Sequence, residues 1–336
     1  MKMVGIIANP ASGKDIRRLV AHAAVMGNRE KANLVRRILI GLKATGVSDV
    51  RIMPDKFGIG LQAIEDLRRG SPEVVAGASI LEMDFAGAGI DTIHAARMLR
   101  QAGAACIITI GGDGTARLAA KESGEVPLLP ISTGTNNVLP QFIEGTVAGL
   151  AAGILAGLEQ VERQALCTRS KRLEVRINDR VVDDALVDVA AVLGSFAGAK
   201  AVWEAEAIRQ VAVTRASPAS IGLSSLVGMI RPVPAAAAYG AIATAAPDGK
   251  GEVVSAPIGP GLIAHIPIAN VERLEPDQTM QLTAERPLML ALDGERELLV
   301  KPGEEASLCL RLDGPWVVDV ERVLEKAVSE GAFISG

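Results

Sequence analysis

Aromatic residues are scarce in this chain, which has two Trp, one Tyr and five Phe among 336 residues. Proteins that bind single-stranded nucleic acid stack the bases on such rings. The formal net charge of -4 also provides no general attraction to phosphate backbones. We therefore expect no nucleic-acid partner. The core must be built from aliphatic side chains and close backbone contacts, for which the chain has 35 glycines.

Cysteine and histidine are equally scarce, with three of each, and no two cysteines have CxxC spacing. This pattern argues against a zinc site or a disulfide framework, and the sequence assigns no metal ligand. Residues 1–8 are typical of a short apolar strand and not of a signal peptide. Together these absences predict a cytoplasmic protein in a reducing compartment.

A long apolar run is also lacking. The best membrane candidate covers residues 145–158, but about 14 residues are too few for a ~30 Å hydrocarbon core, so we expect no membrane span. Glycine recurs there at every fourth position. The segment predicts a helix whose glycine ridge lets a second backbone approach closely.

The first 142 residues alternate between strand-like and helix-like segments. The patterns predict strands at residues 3–8, 50–53, 105–110 and 127–131, and helices at 29–45, 61–69, 90–101 and 116–121. Such alternation is typical of a parallel sheet covered on both faces. We therefore expect an α/β nucleotide-binding domain over residues 1–142.

The pattern changes in the second half of the chain. Short runs broken by Gly, Pro and Asp over residues 252–312 indicate an antiparallel sandwich or barrel-like sheet. Residues 143–318 should accordingly form a β-rich substrate domain, and 319–336 a C-terminal helix that packs back on the first domain. Further predicted elements are strands at 172–177 and 181–192 and helices at 202–209, 221–230 and 320–329.

The most informative segment is Gly111-Gly112-Asp113-Gly114-Thr115, which directly follows a predicted buried strand. Glycines let the backbone turn sharply there, and backbone N–H groups in such a turn can hold phosphate oxygens. A carboxylate between glycines is useful as a base or as a magnesium contact. Neither the Walker A motif nor the dinucleotide-binding GxGxxG fingerprint is present, which disfavours a P-loop ATPase and a simple dehydrogenase.

Two more polar loops, at residues 9–14 and 132–137, also follow predicted strands. Each is weak evidence alone, because solvated loops often have this composition. The carboxyl ends of parallel strands gather at one edge of a sheet, where ligands bind. Convergence of the three loops therefore predicts a nucleotide phosphate site.

The segments GGDGT, NPASG and STGTNN resemble those of the superfamily that includes NAD kinases and diacylglycerol and sphingosine kinases. The second half carries Asp293-Gly294-Glu295, which is similar to the DGE of the superfamily's second domain. The combination of segments is most similar to the ATP-NAD kinase-like branch that includes acetoin catabolism protein X. The resemblance implies an ATP-binding α/β domain, a β-rich second domain and a site in the cleft between them.

The resemblance also implies ATP-dependent phosphoryl transfer to a hydroxyl of a small molecule or nucleotide, with Mg²⁺ bridging the phosphates. Asp113 is the first choice for taking or orienting the acceptor proton, with Asp293 and Glu295 second. We expect substrate contacts from Asn137, Asp188 and Ser217. The residues expected to hold ATP are Asn9, Ser12, Gly13, Lys14, Gly111, Gly112, Gly114, Thr115, Thr133, Gly134, Thr135 and Asn136.

One departure leaves the acceptor open. NAD kinases hold the nucleotide substrate with an Asn-Glu pair, and the matching positions here are Val187 and Asp188. Loss of the amide weakens the case for NAD, so a lipid or another small molecule remains an alternative acceptor. A nucleotide-binding regulatory protein without catalysis, linked to acetoin-type catabolism, is a second alternative. Members of the family often assemble, so a homo-oligomer is also left open.

Overall fold

The computed structural model describes residues 2–12, 26–134, 137–194, 205–246, 248–282, 287–294 and 296–334. Helices α1 to α8 span, in chain order, Asn28–Ala44, Ile59–Gly70, Gly89–Gln101, Asp113–Ser123, Gly145–Ala156, Gln160–Ala165, Ser224–Gly228 and Val320–Ser329. Strands β1 to β9 span Met3–Ala8, Asp49–Ile52, Ala78–Ile80, Cys106–Gly111, Leu128–Ser132, Cys167–Arg169, Arg172–Ile177, Arg180–Ala185 and Asp188–Leu193. Strands β10 to β18 span Ile208–Val213, Gly240–Ala245, Glu252–Gly259, Leu262–Leu274, Thr279–Leu282, Leu288–Leu292, Arg296–Val300, Ala306–Arg311 and Trp316–Val318.

The first lobe is built on a mostly parallel sheet with the strand order β3-β2-β1-β4-β5-β18-β6. Side chains of β1 alternate between its two faces. Val4 and Ile6 pack with α1, α2 and α5, whereas Met3 and Ile7 pack with α3 and α4. Both faces of the sheet are therefore covered by helices, which confirms the predicted α/β architecture.

Helix α5 packs on α1 through its glycines. A Cβ at Gly149 would collide with the carbonyl oxygen of Ile38, and one at Gly145 would meet the carbonyl oxygen of Leu34. The close approach is reciprocal, because a Cβ on Gly41 of α1 would strike the backbone of α5. The glycine ridge thus brings two backbones into contact, as the sequence predicts.

The second lobe consists of two antiparallel sheets packed face to face. One has the order β12-β13-β11-β10-β9-β15-β16 and the other β14-β17-β7-β8. Leu173 and Val175 of the smaller sheet share a core with Val189 and Leu290 of the larger one. The predicted antiparallel sandwich is therefore present, and α7 packs on the outer face of the larger sheet.

The chain returns to the first lobe at its end. Strand β18 enters the first sheet parallel to β5 and antiparallel to β6, and α8 follows it. The chain passes between the lobes near Ser170 and again near Pro315. These two connections lie side by side, as shown by the N–H of Ser170, which donates to the carbonyl oxygen of Pro315 at 2.8 Å. The predicted domain boundary at residue 142 falls just before α5, although α5 itself packs on the first lobe.

Three predicted elements differ from the structure. The strand expected at residues 181–192 is two strands, β8 and β9, because Leu186 and Val187 donate their backbone N–H groups to Asp293. Of the helix expected at 202–209, residues 202–204 lie outside the described part of the chain and Ala205–Ala207 form a short 3-10 helix. Its last two residues belong to β10, whose Ile208 is buried in the core. The helix expected at 221–230 is shorter, Ser224–Gly228.

Among the described residues, no helix combines the length and apolar character that crossing a bilayer requires. The most apolar candidate, α5, is a 12-residue helix.

Candidate active site

Three loops of the first lobe meet at one edge of its sheet. They follow the carboxyl ends of β1, β4 and β5, which are neighbouring parallel strands. In open parallel sheets, ligands bind beyond this edge. The described parts of all three loops confirm the convergence that the sequence predicts.

Side-chain hydrogen bonds tie these loops together. Nδ2 of Asn9 donates to Oγ1 of Thr115 at 2.9 Å. The hydroxyls of Ser12 and Thr133 lie 3.0 Å apart. Oδ1 of Asn9 also accepts the backbone N–H of Ala11 at 2.9 Å. These bonds fix the relative positions of the first loop and the other two.

A buried lysine of α1 lies beneath the first loop. Nζ of Lys31 donates to the carbonyl oxygens of Asn9 at 2.8 Å and Ser12 at 2.9 Å. Burying an ammonium is costly unless it is paired, so this lysine and the loop hold each other in place. Lys31 is not among the site residues predicted from the sequence. The available signal was a lysine on the apolar face of α1, in line with Leu34 and Ile38.

The glycine-rich turn opens α4. Strand β4 ends at Gly111, Gly112 is the N-cap, and α4 begins at Asp113, so Gly114 lies in its first turn. The N–H of Thr115 donates to the carbonyl oxygen of Gly112 at 3.0 Å. The N–H groups that precede it at a helix start have no partner within the helix, and the helix dipole favours an anion beside them. A Cβ at Gly111 would collide with the side chain of Thr115, so glycine is required there.

The carboxylate of Asp113 binds the segment that follows β5. Its Oδ1 accepts the backbone N–H of Leu139 at 2.8 Å, and its Oδ2 accepts that of Val138 at 3.0 Å. The side chain is buried. These contacts give Asp113 a positioning role that sequence alone did not indicate, and its catalytic role stays a prediction.

The third loop is closed by its own side chains. Nδ2 of Asn137 donates to Oγ of Ser132 at 2.7 Å and to the carbonyl oxygen of Gly134 at 3.3 Å. Oγ of Ser132 donates to the same carbonyl at 2.7 Å. The amide of Asn137 is therefore used within the loop, and its predicted contact with substrate stays a prediction.

Asp293 lies in the turn between β15 and β16 and holds the start of β9. Its carboxylate accepts the backbone N–H groups of Leu186 at 3.0 Å, Val187 at 2.8 Å and Asp188 at 3.1 Å. Asp293 adopts a left-handed φ of 49°. Burial raises the pKa of Asp293, while the charge of Arg117 and the three N–H groups oppose that rise. Asp293 thereby fixes the position of the predicted substrate contact Asp188.

A buried charge cluster connects the two lobes. Nη1 of Arg117 lies 3.3 Å from Oδ1 of Asp183, and its Nε lies 3.5 Å from Oδ2 of Asp293. Lys121, one turn further along α4, also pairs with Asp183. Arg117 is 3% exposed. The sequence analysis did not find this cluster, because its members are far apart along the chain.

The remaining predicted residues are only partly described. Ser217 lies in the segment after β10, where its Oγ accepts the backbone N–H of Ala219 at 3.2 Å. Its predicted contact with substrate stays a prediction. The predicted site residues outside the described part of the chain are Gly13, Lys14, Thr135, Asn136 and Glu295.

A magnesium site of protein side chains has little support. In the part of the chain that the structure describes, no group of three or more His, Cys, Asp or Glu side chains could hold a metal ion. Asp113 and Asp293 use carboxylate oxygens for backbone N–H groups. A magnesium ion at this edge fits if most of its ligands are phosphate oxygens and water, as is common for Mg²⁺.

Comparison with known proteins identifies the family. Residues 4–158 match the ATP-NAD kinase N-terminal domain, and residues 171–313 match the acetoin catabolism protein X C-terminal domain. Acetoin catabolism protein X of Cupriavidus necator is 39% identical over 332 residues, which cover 97% of this chain and 92% of that protein. The chain belongs to the acetoin catabolism protein X family.

This member of the acetoin catabolism protein X family therefore has a kinase-type N-terminal domain, which confirms the resemblance predicted from its motifs. A solved structure described as "Crystal structure of a putative diacylglycerol kinase from Bacillus anthracis str. Sterne" aligns with a TM-score of 0.47 and 11% identity, over 94% of this chain and 97% of that one. The name of the Cupriavidus protein states a pathway and no reaction.

Proposed function

We propose that this protein is a phosphotransferase that moves the terminal phosphoryl group of ATP to a hydroxyl of a small molecule. The observation that carries the proposal is the N-terminus of α4 at the carboxyl edge of the sheet, set between two polar loops. Helix N-termini in this position bind phosphate groups. The match to a kinase-type domain over residues 4–158 supports the same reading.

Phosphoryl transfer requires positioning and charge neutralisation more than covalent catalysis by the protein. Backbone N–H groups of the glycine-rich turn would hold the phosphates, with Lys14 as a cation beside them. Bound Mg²⁺ would neutralise the charge that the phosphate oxygens carry. Lys31 would stabilise the site by holding the carbonyl oxygens of Asn9 and Ser12 in the first loop.

In the proposed reaction, the acceptor oxygen forms a bond to the γ-phosphorus while the bond from that phosphorus to the bridging oxygen breaks. ADP leaves with the electron pair, and the hydroxyl proton passes to a base. We assign that base to Asp113, with Asp293 and Glu295 as second choices. A carboxylate offers about four lone-pair directions, so Asp113 can hold the backbone of Val138 and Leu139 and still accept a proton.

The acceptor is proposed to be a small molecule and not NAD. Val187 replaces the amide of the NAD kinase pair, and it is buried among Ala116, Leu139 and Leu186. An apolar side chain there cannot hydrogen-bond a ribose hydroxyl. By analogy with the name of the Cupriavidus relative, we propose that the acceptor arises in acetoin catabolism.

The test compares wild type with Asp113→Asn in an assay of ADP release over a panel of diols, hydroxy acids, nucleosides and lipid alcohols. Asparagine keeps an acceptor oxygen for Leu139 but loses the charge and the acceptor for Val138. We therefore expect turnover to fall at least a hundredfold and stability to fall by about 1–3 kcal/mol, which the melting temperature measures separately. Asp248→Asn changes an exposed aspartate far from the site and serves as the matched control.

Unchanged turnover in Asp113→Asn would remove Asp113 from the reaction. Binding of ATP, measured by a rise in melting temperature, without turnover on any acceptor would favour the regulatory alternative, because a ligand that binds only the native state stabilises it. Turnover confined to lipid alcohols would assign the protein to the lipid-kinase-like alternative.

A further inference from the structure

A cavity of about 640 Å³ lies where the two lobes meet. Its wall includes Leu139, whose N–H binds Asp113. Ile143 and Leu324 make much of the remaining wall apolar, and Ala235 of the second lobe lies at its exposed margin. Cavities of ~300–1,000 Å³ are typical of small-molecule sites.

Arg215 brings a positive charge into this cavity from the second lobe. Its Nη2 donates to Oγ of Ser170 at 2.7 Å. Its Nε is buried and has no hydrogen-bond partner within the described residues. A buried charged donor without a partner destabilises the folded protein, so the unpaired Nε of this guanidinium points to a ligand.

The charged residues near Arg215 provide no hydrogen bond to its Nε. Lys171 repels it, and its own Nζ donates to the carbonyl oxygens of Pro234 at 3.2 Å and Tyr239 at 2.7 Å. The charges of Asp113 and Asp293 favour the charged form of Arg215. Arg215 is therefore a cation that lines the cavity and has an unpaired Nε donor within the described residues.

The wall of the cavity also includes two acidic residues. Asp319 and Glu321 line it at the start of α8. Asp319 accepts the backbone N–H of Arg322 at 3.1 Å, so it caps the helix, whereas Glu321 is exposed at the margin. A ligand that fits this distribution carries one anionic group at the Arg215 side and neutral hydrogen-bond donors, such as hydroxyls, elsewhere.

We propose that this cavity holds the phosphoryl acceptor, and that the acceptor is a small aliphatic hydroxyl compound with one carboxylate or phosphate group bound by Arg215. The proposal rests on the proposed phosphotransferase function. A guanidinium presents its donors in a planar fork that matches both kinds of anion. Leu139 lines the cavity and donates its N–H to Asp113, so it links the proposed acceptor site to the proposed base.

Arg215 would select the substrate and take no part in bond making. The hydroxyl oxygen of the acceptor bonds to the γ-phosphorus, ADP leaves with the electrons of the broken bond, and the proton goes to Asp113. The product is a phosphate ester that still carries its original anionic group.

The first test measures binding by calorimetry without nucleotide. The probes are L-lactate, D-glycerate and glycerol 3-phosphate, with propane-1,2-diol and glycerol as uncharged counterparts. We expect Arg215→Gln to weaken binding of the anionic probes at least tenfold and to leave the uncharged ones unchanged. Preference among the anionic probes distinguishes a carboxylate from a phosphate. Arg231→Gln removes an exposed arginine of the same lobe and should bind all probes as wild type does.

A second variant tests the cavity without removing the cation. Ala235→Trp enlarges an exposed side chain at the margin, so the fold should tolerate it, and we expect the tryptophan to block entry of the anionic probes. The proposal is overturned if both variants bind the anions as tightly as wild type does. It is also overturned if Arg215→Gln loses only the binding of ATP.

The outcomes also separate this inference from the proposed function. If anions bind in a way that depends on Arg215 but no probe leads to ADP release, the anion site is supported. The phosphotransferase function and the role of this site as an acceptor site are then both contradicted. If an uncharged acceptor leads to ADP release at the same rate in wild type and Arg215→Gln, the phosphotransferase function is supported and the anion site is contradicted.

Discussion

Nε of Arg117 lies 3.5 Å from Oδ2 of Asp293, across the boundary between the two lobes. The same guanidinium donates to Oδ1 of Asp183 at 3.3 Å and to the carbonyl oxygen of Asp184 at 3.2 Å. Because α4 begins with the glycine-rich turn, one helix connects the predicted phosphate site to the second lobe. The position of that turn relative to the second lobe therefore depends on buried charges.

Replacing Arg117 with alanine should strongly destabilise the protein. The change leaves Asp293 buried without its guanidinium, and breaking a buried ion pair by removing one partner costs about 3–5 kcal/mol. Urea unfolding monitored by circular dichroism measures the loss. Arg97→Ala is the control, because Arg97 is 45% exposed where it pairs with Glu122 and should matter little. Equal effects of the two substitutions would contradict the assigned role of Arg117.

Lys31→Met should loosen the first loop of the site. The carbonyl oxygens of Asn9 and Ser12 lose a buried donor, which costs about 1–3 kcal/mol of unfolding free energy. If ATP binds at this edge, its dissociation constant should rise at least fivefold in calorimetry with magnesium present. Lys43→Met, at an exposed position of the same helix, should leave both quantities unchanged. If Lys31→Met is as stable as wild type and binds ATP with normal affinity, Lys31 does not fix the first loop of the site.

Gly149→Ala should disrupt the contact between α1 and α5. The added Cβ meets the backbone of Ile38 and Leu42, which cannot move without shifting a helix, and such overpacking costs about 1–3 kcal/mol. Differential scanning calorimetry gives the change in melting temperature. Gly70→Ala, at the open end of α2, provides the comparison and should be neutral or slightly stabilising. A melting temperature equal to that of the control would mean that the helices can separate freely.

Lys171 predicts a specific dependence of stability on pH. Burial, assisted by the charge of Arg215, lowers the pKa of Lys171 from 10.5 to about 8. Between these values the unfolded chain binds more protons than the folded one, so the contribution of Lys171 to stability increases as the pH rises. The unfolding free energy of wild type relative to Lys171→Met should therefore increase between about pH 8 and pH 10.5. A difference independent of pH would contradict the lowered pKa.

Much of the first lobe could be predicted because its signals are local. The strand β1 is entirely apolar, and α1 repeats apolar residues at helical spacing, so each element can be read from its own residues. Convergence of the three loops followed from topology, since parallel strands end at the same edge. The families matched over residues 4–158 and 171–313 agree with the motifs that suggested them.

What could not be predicted depends on contacts between distant parts of the chain. The break at Leu186 and Val187 arises because Asp293, in another turn, takes their N–H groups. Arg117 read from sequence is one more residue of a helix, and its two carboxylate partners come from the other lobe. The environment of Arg215 likewise depends on how the lobes meet, which no local pattern encodes.

The return of β18 to the first sheet has a consequence for biosynthesis. The strand beside β5 is made some 180 residues after β5 itself, so the first lobe cannot complete its sheet until nearly the whole chain has left the ribosome. Until then the edge of β5 and the apolar face under α8 lack their partners. The second lobe, whose strands all lie between Ser170 and Pro315, can fold before the first is finished.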